Sequence, residues 1–421
     1  MSLISWTLTS ESDVQDARRV IADLKANSTF DVLGLGLPLE AISNILFPGT
    51  STLHTRFRYV VFVPAVFFAM RANRKANPQG RLRIAEADLI ESLVNGGEKG
   101  GVIGRNLGLD LKYKPSMTYW SAIRTFGLFG GQSYMDRTSM LEQCEPRAVQ
   151  REVDDVGSLP AEVEWDEDFG ELVAPLFSDL EKLKWKNKLG FALTRAEAEF
   201  FRCRIERDFP DSLYVPLLKM NPNEIEKMES PFETIKKAKL PLKLKELLNE
   251  SRKYSRVAKG IDLLYRWVLA NYWGDKDRSK NTEWSQAVKV HRKRWGEWRQ
   301  RVGSLLSWEP QSFIMACKPY PELGSLMVSN EGRSLLGFMG DCLECMRRRN
   351  SEATYIEMEN LMVDRERNQR RNNSRFGNHD ILLPAGIKKP GDAEQSDYYF
   401  DFRWDQGKRN VLDLLKRTGR S

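Results

Sequence analysis

The chain has few of the residues that usually carry metal, redox or membrane functions. Only three of its 421 residues are His and five are Cys, and this odd, scattered set of cysteines does not indicate a disulfide framework. The longest apolar run, Tyr59–Met70, has 12 residues and contains Pro64, whereas about 20 are needed to span a bilayer. The first residues lack the basic and apolar regions of a secretory signal. We therefore expect a cytoplasmic protein with no membrane partner.

Motifs for cofactor or metal chemistry are incomplete. Cys342 and Cys345 have the CxxC spacing of a zinc knuckle, but no second pair and no nearby His complete four ligands. In a helix this spacing places both thiols on one face, which favours buried free cysteines. The glycine-rich Gly96–Gly101 lacks the Gly-Lys-Ser/Thr of a phosphate loop. The sequence predicts no cofactor and no metal, identifies no catalytic residue, and leaves enzymatic activity undecided.

What is present indicates a folded, multi-domain protein. The hydrophobic fraction is 41% and the aromatic fraction 10%, with 11 Trp, which is enough for substantial cores. Helical signals dominate. Thr194 with Glu197 matches a capping box, as does Ser12 with Gln15, and apolar residues recur at three- and four-residue spacing. We predict a mainly α-helical fold with two or three domains and a small β component near the C-terminus.

Residues 84–135 have the order of elements of a winged helix-turn-helix. A helix is followed by a glycine-rich connection and by a second helix entered near Ser116, with a turn at Leu128–Gly131. In that arrangement Tyr119, Ser121 and Arg124 would be exposed on the second helix, with Arg124 facing DNA. An ordinary helical hairpin is the alternative, and it is the commoner source of this pattern.

Charge is distributed unevenly along the chain. The 65 Lys and Arg and 58 Asp and Glu leave a net charge of only +7. Residues 141–182, however, contain 13 acidic and three basic residues, a net −10, whereas residues 236–301 contain 19 basic and seven acidic residues, a net +12. We therefore predict an N-terminal helical domain over 1–140, an acidic linker over 141–182, a basic, Trp-rich helical domain over 183–310, and a C-terminal α+β region over 311–421.

Within the basic segment 236–301, the spacing predicts one helix with an apolar face and a basic face. Its apolar residues recur at alternating spacings of four and three and so form a core-facing stripe; they are Trp284, Val288, His291, Trp295, Trp298, Val302 and Leu305. Lys289, Arg292, Lys293 and Arg299 lie off this stripe and can contact phosphates, which favours nucleic-acid binding. A solvated basic face and a protein-docking surface are alternative interpretations.

The C-terminal region adds further basic clusters. Five arginines, three of them Arg367, Arg370 and Arg371, cluster between 365 and 375 at the end of a predicted helix, where they suit either the helix dipole or an anion. Residues 398–402 read as a strand, and a last helix is predicted to begin at Trp404.

Six stretches, in this order, resemble a large bacterial and archaeal family of unknown function whose members open with Ser-Trp, as Ser5-Trp6 does here. The stretches are Phe47–Pro64, Pro115–Phe129, Leu193–Ile205, Lys259–Asn271, Asn372–His379 and Phe400–Leu415. The most specific piece is Phe-Pro-Gly-Thr-Ser-Thr followed by Thr-x-Arg-x-Arg-Tyr, which includes Arg56 and Arg58. That motif is either the start of a folded helix or a binding site.

Members of this family resemble proteins that are encoded in mobile or defence gene islands, beside helicases and phospholipase D type nucleases. The resemblance implies a role in a multi-protein anti-phage system and supplies no reaction. We therefore expect a non-catalytic, nucleic-acid-binding or scaffolding subunit whose partners are duplex or single-stranded DNA and a helicase or nuclease. The alternatives are a metal-dependent nuclease with a non-standard site and a pure protein adaptor.

Overall fold

The computed structural model describes residues 31–106, 114–129, 136–146, 167–276, 281–348, 351–371, 374–377, 383, 386–390 and 396–416. Three features predicted above lie wholly or partly outside these residues: the Ser12 capping box, the second half of the turn at Leu128–Gly131, and most of the acidic linker.

The helices up to residue 229 are α1 (Leu39–Leu46), α2 (Tyr59–Ala72), α3 (Pro78–Asn95), α4 (Pro115–Thr125), α5 (Arg137–Glu142), α6 (Glu167–Val173), α7 (Arg195–Asp208), α8 (Tyr214–Leu217) and α9 (Pro222–Glu226). Those beyond it are α10 (Thr234–Lys237), α11 (Leu242–Lys276), α12 (Asn281–Val302), α13 (Pro310–Cys317), α14 (Pro321–Val328), α15 (Asn330–Arg347), α16 (Glu352–Arg370) and α17 (Trp404–Leu415). Short 3₁₀ turns occupy Ala174–Leu176, Pro231–Glu233 and Gly303–Ser307.

The mainly α-helical prediction is confirmed. The predicted position of the β component, near the C-terminus, is wrong. The sheet in the described residues consists of β1 (Phe177–Asp179) paired antiparallel with β2 (Lys184–Trp185). Residues 398–402 are irregular, because the Ser255 hydroxyl accepts hydrogen bonds from the backbone N–H groups of Tyr399 and Phe400 in place of a neighbouring strand. Among the described residues, no helix is long and apolar enough to cross a membrane.

The chain divides into two compact units, each made of separate stretches. Among the described residues, unit 1 comprises 43–229 and 403–416, and unit 2 comprises 31–42 and 230–402. Residues 167–182, which belong to the predicted acidic linker, form α6, a 3₁₀ turn and β1 of unit 1.

The core of unit 1 is built around α2. Its sequence YVVFVPAVFFAM is buried on nearly every side, so the helix lies inside the unit and continues through Pro64. The small sheet packs beside α3, where the Trp185 indole N–H donates to the Ala85 carbonyl at 2.8 Å. The same indole lies edge-on to Phe62, which joins the sheet to α2.

Helix α4 packs against α2 through a face that carries Tyr119, Ala122, Ile123 and Phe126, all of them buried. The prediction that Tyr119 is exposed is therefore wrong: its position belongs to the apolar i, i+3, i+4 face of the helix. Ser121 and Arg124 are exposed, as predicted.

Unit 2 is organised by the antiparallel helices α11 and α12. Trp267 contacts Trp295 midway along them, and Gly260 contacts Trp298 further along. A Cβ atom at position 260 would lie 2.2 Å from the Trp298 ring, so glycine is required for this approach. Trp284, His291, Trp295, Trp298, Val302 and Leu305 are buried and Val288 is half-buried, which confirms the predicted apolar stripe.

Candidate nucleic-acid interface

The motif at Phe47–Tyr59 forms part of the interior of unit 1. The Thr50 and Tyr214 hydroxyls are 2.6 Å apart, and the Asn410 amide donates to both at 3.3 and 2.9 Å. All three residues are buried. Arg403, just before α17, donates to the Thr50 carbonyl at 2.5 Å. This network joins two of the stretches that carry the family resemblance, Phe47–Pro64 and Phe400–Leu415.

Arg56 is held by a carboxylate from α17. Its Nε and Nη2 atoms donate to the two oxygens of Asp413 at 3.1 and 3.0 Å, in the bidentate geometry that suits a guanidinium and a carboxylate. The backbone N–H of Phe57 donates to the same carboxylate at 3.0 Å. The Arg56 side chain is 28% exposed, whereas that of Asp413 is 7% exposed.

Arg58 is buried against the start of α7. It donates to Glu197 Oε1 at 2.9 Å and to the Gly190 carbonyl at 2.7 Å. The other oxygen of Glu197 accepts the Thr194 backbone N–H, and the Thr194 hydroxyl accepts the Glu197 N–H. The capping box predicted at Thr194 is thus confirmed, and its carboxylate also binds Arg58.

His54 completes this cluster. Its ring stacks on Tyr119 with 4.1 Å between centroids, and its Nε2 lies 3.0 Å from the Thr118 carbonyl. Burial lowers the pKa of His54 to about 4, although the Thr118 hydrogen bond partly opposes the shift. Because Thr50, His54, Arg56 and Arg58 all have partners inside unit 1, the contacts favour a folding role for the motif over a binding role.

In unit 2, three of the predicted basic residues form a row along α12. Lys289, Arg292 and Lys293 follow at i, i+3 and i+4, so they share one face of the helix, and all three are exposed. Lys293 has an exposed partner, Glu297, at 3.8 Å. We refer to these three residues as the basic row.

Beside the basic row lies a groove with three aromatic rings. Trp267 of α11 is in the middle, 4.6 Å from the Tyr355 ring and 5.5 Å from the Trp295 ring between centroids. We call this the aromatic groove. Its lining consists of Trp267, Asn271, Val288, Arg292, Trp295, Gly296, Ser351, Glu352, Thr354, Tyr355 and Met358, around a volume of about 510 Å³. Volumes of this size are typical of ligand sites.

Arg292 belongs to both the basic row and the aromatic groove. Its Cζ atom lies 5.6 Å from the centre of the Trp267 ring, within the range of a cation–π contact. Arg299 lies over the Trp295 ring and donates to the carbonyls of Met346 and Arg348, at 2.6 and 2.7 Å. Arg299 therefore ties α12 to the end of α15, whereas Arg292 is exposed.

The opposite side of the aromatic groove is polar and partly acidic. Ser351 caps α16 by accepting the Thr354 N–H at 3.2 Å. Burial raises the pKa of Tyr355, and the charges of Glu359 and Asp275 raise it further, while Arg292 opposes them. The groove thus has a basic side on α12 and hydrogen-bond acceptors on the opposite side.

The remaining predicted binding residues lie elsewhere. Arg367 and Arg371 are exposed and Arg370 is half-buried. Arg367 follows Tyr355 by 12 residues, or about 18 Å along α16. Arg56, Arg58 and Arg124 belong to unit 1. The structure therefore places four of the ten predicted residues on α12, three at the end of α16 and three in unit 1.

The arginine cluster near 370 also contributes to the core. Glu366 is fully buried; it accepts the Arg375 backbone N–H at 2.8 Å and the Tyr265 hydroxyl at 3.0 Å. Burial raises the pKa of Glu366. Cys342 and Cys345 are buried free thiols, as predicted. Within the part of the chain that the structure describes, no group of three or more His, Cys, Asp or Glu is placed to hold a metal ion.

Sequence reasoning missed Trp267, Asn271 and Tyr355. Trp267 lies within a largely apolar stretch of the kind that is typical of a core helix, and Tyr355 is 88 residues further along the chain. The sequence offered one signal for Trp267: its neighbour Arg266 is a charged residue that interrupts the apolar stretch.

Comparison with known proteins gives one family match. Residues 1–141 match a family of unknown function, DUF6361. The match covers a third of the chain and confirms, for those residues, the expected resemblance to a family of unknown function. No curated protein and no solved structure matches the chain.

Proposed function

We propose that the protein is a non-catalytic nucleic-acid-binding subunit that holds a single strand in the aromatic groove of unit 2. The observation that carries the proposal is the position of Arg292, which lies over Trp267 in the groove while sharing a helix face with Lys289 and Lys293. Aromatic faces and phosphate-binding cations are thus adjacent on one surface.

The chemistry of a single strand matches this surface. Unpaired bases stack on aromatic rings, at about 1–3 kcal/mol per base, and lysine and arginine neutralise the phosphates with release of counterions. Trp267 and Tyr355 are half-buried, so each is supported by the core and still reaches the groove. A duplex keeps its bases stacked on one another, so it would contact the basic row alone.

The polar side of the groove suits the edges of bases. The Asn271 amide carries both a donor and an acceptor, and Glu352 offers acceptors for exocyclic amino groups. Acidic groups on that side would repel phosphates, so the backbone of the strand would follow α12 and the bases would point towards α16.

A polarisation titration with fluorescent single-stranded and duplex oligonucleotides at 50 and 200 mM salt tests the proposal. We expect tighter binding of the single strand, weakened at the higher salt. Trp267→Leu should weaken single-strand binding about tenfold or more, whereas Trp267→Phe, which keeps a ring, should retain most of it. Lys318→Ala, which removes an exposed charge elsewhere in unit 2, is the control. Absence of binding at 50 mM salt would overturn the proposal.

The cellular setting that we propose is a multi-protein anti-phage system in the cytoplasm, in which partner subunits provide helicase and nuclease chemistry. It is supported by the resemblance of the stretches quoted above to a family of defence and mobile gene islands. Affinity purification of the full chain from cells that also express its neighbouring genes tests this setting. Recovery of a helicase or nuclease subunit is the expected result, and recovery of the chain alone would contradict it.

A further inference from the structure

Two rings of the aromatic groove each have a polar neighbour on the same helix face. Trp267 and Asn271 are four residues apart on α11, and Glu352 and Tyr355 are three residues apart on α16; all four line the groove. Side chains at these spacings are neighbours, with about 5–6 Å between their Cβ atoms. Each ring that can stack on a base is therefore accompanied by a side chain that can bind the edge of that base.

The Glu352 carboxylate is available to accept hydrogen bonds. Glu352 is exposed at the first position of α16, after the N-cap residue Ser351. Within the part of the chain that the structure describes, it forms no hydrogen bond or ion pair. Both of its oxygens can therefore serve a ligand in the groove.

The groups around the Tyr355 ring make this side of the groove negative. Burial raises the pKa of Tyr355, the charges of Glu359 and Asp275 raise it further, and the Asn271 amide opposes them. Burial and the charge of Asp275 also raise the pKa of Glu359. The Asn271 amide is thus a neighbour of the Tyr355 hydroxyl, and the acids favour the hydrogen-bond donors of a base over its acceptors.

The bases differ in the donors that they offer to such an edge. Guanine presents two adjacent donors, N1–H and the 2-amino group, beside the O6 acceptor. A carboxylate accepts both in parallel, as it does from the fork of a guanidinium. Adenine and cytosine place their amino group beside a ring-nitrogen acceptor. Thymine and uracil place a single N–H between two carbonyl oxygens, which a carboxylate repels.

We propose that the aromatic groove selects guanine within a single strand. The base stacks on Tyr355, the Glu352 carboxylate accepts N1–H and the 2-amino group, and the Asn271 amide donates to O6. The phosphate of the same nucleotide faces Arg292 on the opposite side of the groove. This inference rests on the proposed function and adds a base preference to it.

Polarisation titrations of the full-length protein at 50 mM salt test the proposal. The probes are short thymine oligonucleotides with one central guanine, inosine, adenine, cytosine or thymine, because a single guanine avoids the quadruplexes that guanine runs form. We expect the guanine probe to bind about tenfold more tightly than the thymine probe, with adenine and cytosine between them. Inosine lacks the 2-amino group and should bind severalfold less tightly than guanine.

Two variants assign the two contacts separately. Removing an acid strengthens the binding of every strand, so the readout is the ratio of affinities between probes. Glu352→Gln should reduce the preference for guanine over thymine to about twofold and abolish the difference between guanine and inosine. Asn271→Leu removes the donor to O6, which guanine and inosine share, so it should reduce the preference over thymine and keep the difference between guanine and inosine.

The matched control is Asp364→Asn, which removes an exposed carboxylate from α16 about 18 Å along the helix from Glu352. It should keep both ratios. Equal affinity of the wild type for all five probes, or equal ratios in Glu352→Gln and Asp364→Asn, would overturn guanine selection while leaving the proposed function in place. Absence of binding by every probe would overturn both.

A free guanine nucleotide carries the same base, and competition distinguishes it from a strand. Guanosine monophosphate has one phosphate and cannot follow the basic row, so it should displace the guanine probe only at concentrations at least about tenfold higher than an unlabelled strand requires. Displacement at equal concentrations would overturn the strand as the occupant.

Discussion

The guanidinium of Arg292 lies over the indole ring of Trp267, with 5.6 Å between Cζ and the ring centre. Replacing it tests charge and stacking separately. Arg292→Ala should weaken single-strand binding about tenfold and reduce the slope of log K against log salt by about 0.7, the value for one phosphate contact. Arg292→Lys should keep the slope while losing affinity, because lysine lacks the planar group that stacks. Polarisation titrations over a salt series measure both quantities.

Equal salt slopes for Arg292→Lys and Arg292→Ala would contradict a phosphate contact at this position. Lys318→Ala should leave both slope and affinity unchanged.

Gly260 makes the close approach of α11 and α12 possible. Because a Cβ at this position would lie 2.2 Å from the Trp298 ring, Gly260→Ala should destabilise the protein by about 1–3 kcal/mol, although alanine is the better helix former. Gly337→Ala in α15 is the control, since its added Cβ meets no atom within 4 Å. It should stabilise by up to about 1 kcal/mol. Urea unfolding followed by tryptophan fluorescence distinguishes them, and a neutral Gly260→Ala would contradict the packing.

Asp413 is the carboxylate on which the start of α2 depends. Asp413→Ala removes the partner of Arg56 and of the Phe57 N–H, so we expect a loss of about 2–3 kcal/mol, less than for a fully buried pair because Arg56 is 28% exposed. The control is Glu226→Ala, which breaks the exposed pair with Lys416, just after the end of α17, and should change stability by about 0.5 kcal/mol or less. Similar urea midpoints for the two variants would refute this role of Asp413.

His54 should be neutral at physiological pH. Its folded pKa of about 4 lies below the usual histidine value of 6.5, so between these values the unfolded chain binds a proton that the folded protein does not. Stability therefore falls as the pH decreases from about 6.5 to about 4, by about 3 kcal/mol from this residue. NMR titration of the ring protons measures the pKa directly, because the chain has only three histidines and His54→Gln assigns the signal. A midpoint near 6.5 would contradict the burial described here.

The sequence predicted the features that depend on contacts between residues close together in the chain. The Thr194 capping box depends on residues three apart, and the stripe from Trp284 to Val302 depends on the period of a single helix, so both are visible in the sequence. The burial of Tyr119 follows the same rule, yet the helix-turn-helix hypothesis assigned it to the surface, because that hypothesis replaced the apolar pattern of α4 with an analogy.

Contacts between residues far apart in the chain could not be predicted from the sequence. The carboxylate that binds Arg58 lies 139 residues away in the sequence, and the carboxylate that binds Arg56 lies 357 residues away. No spacing rule distinguishes such arginines from those that bind an anion. The aromatic groove likewise depends on three separate helices that bring Trp267, Trp295 and Tyr355 together, and only the basic row on α12 could be located beforehand.

The discontinuity of unit 1 has a consequence for protein synthesis. The ribosome completes residues 43–229 long before it reaches α17, so Arg56, the Phe57 N–H and Thr50 emerge without the partners that Asp413 and Asn410 later provide. Residues 230–402, the larger stretch of unit 2, are translated in the interval. Unit 1 therefore reaches its final state only after residues 230–402 have been synthesised, and a product cut short before Arg403 would lack α17 and leave this unit incomplete.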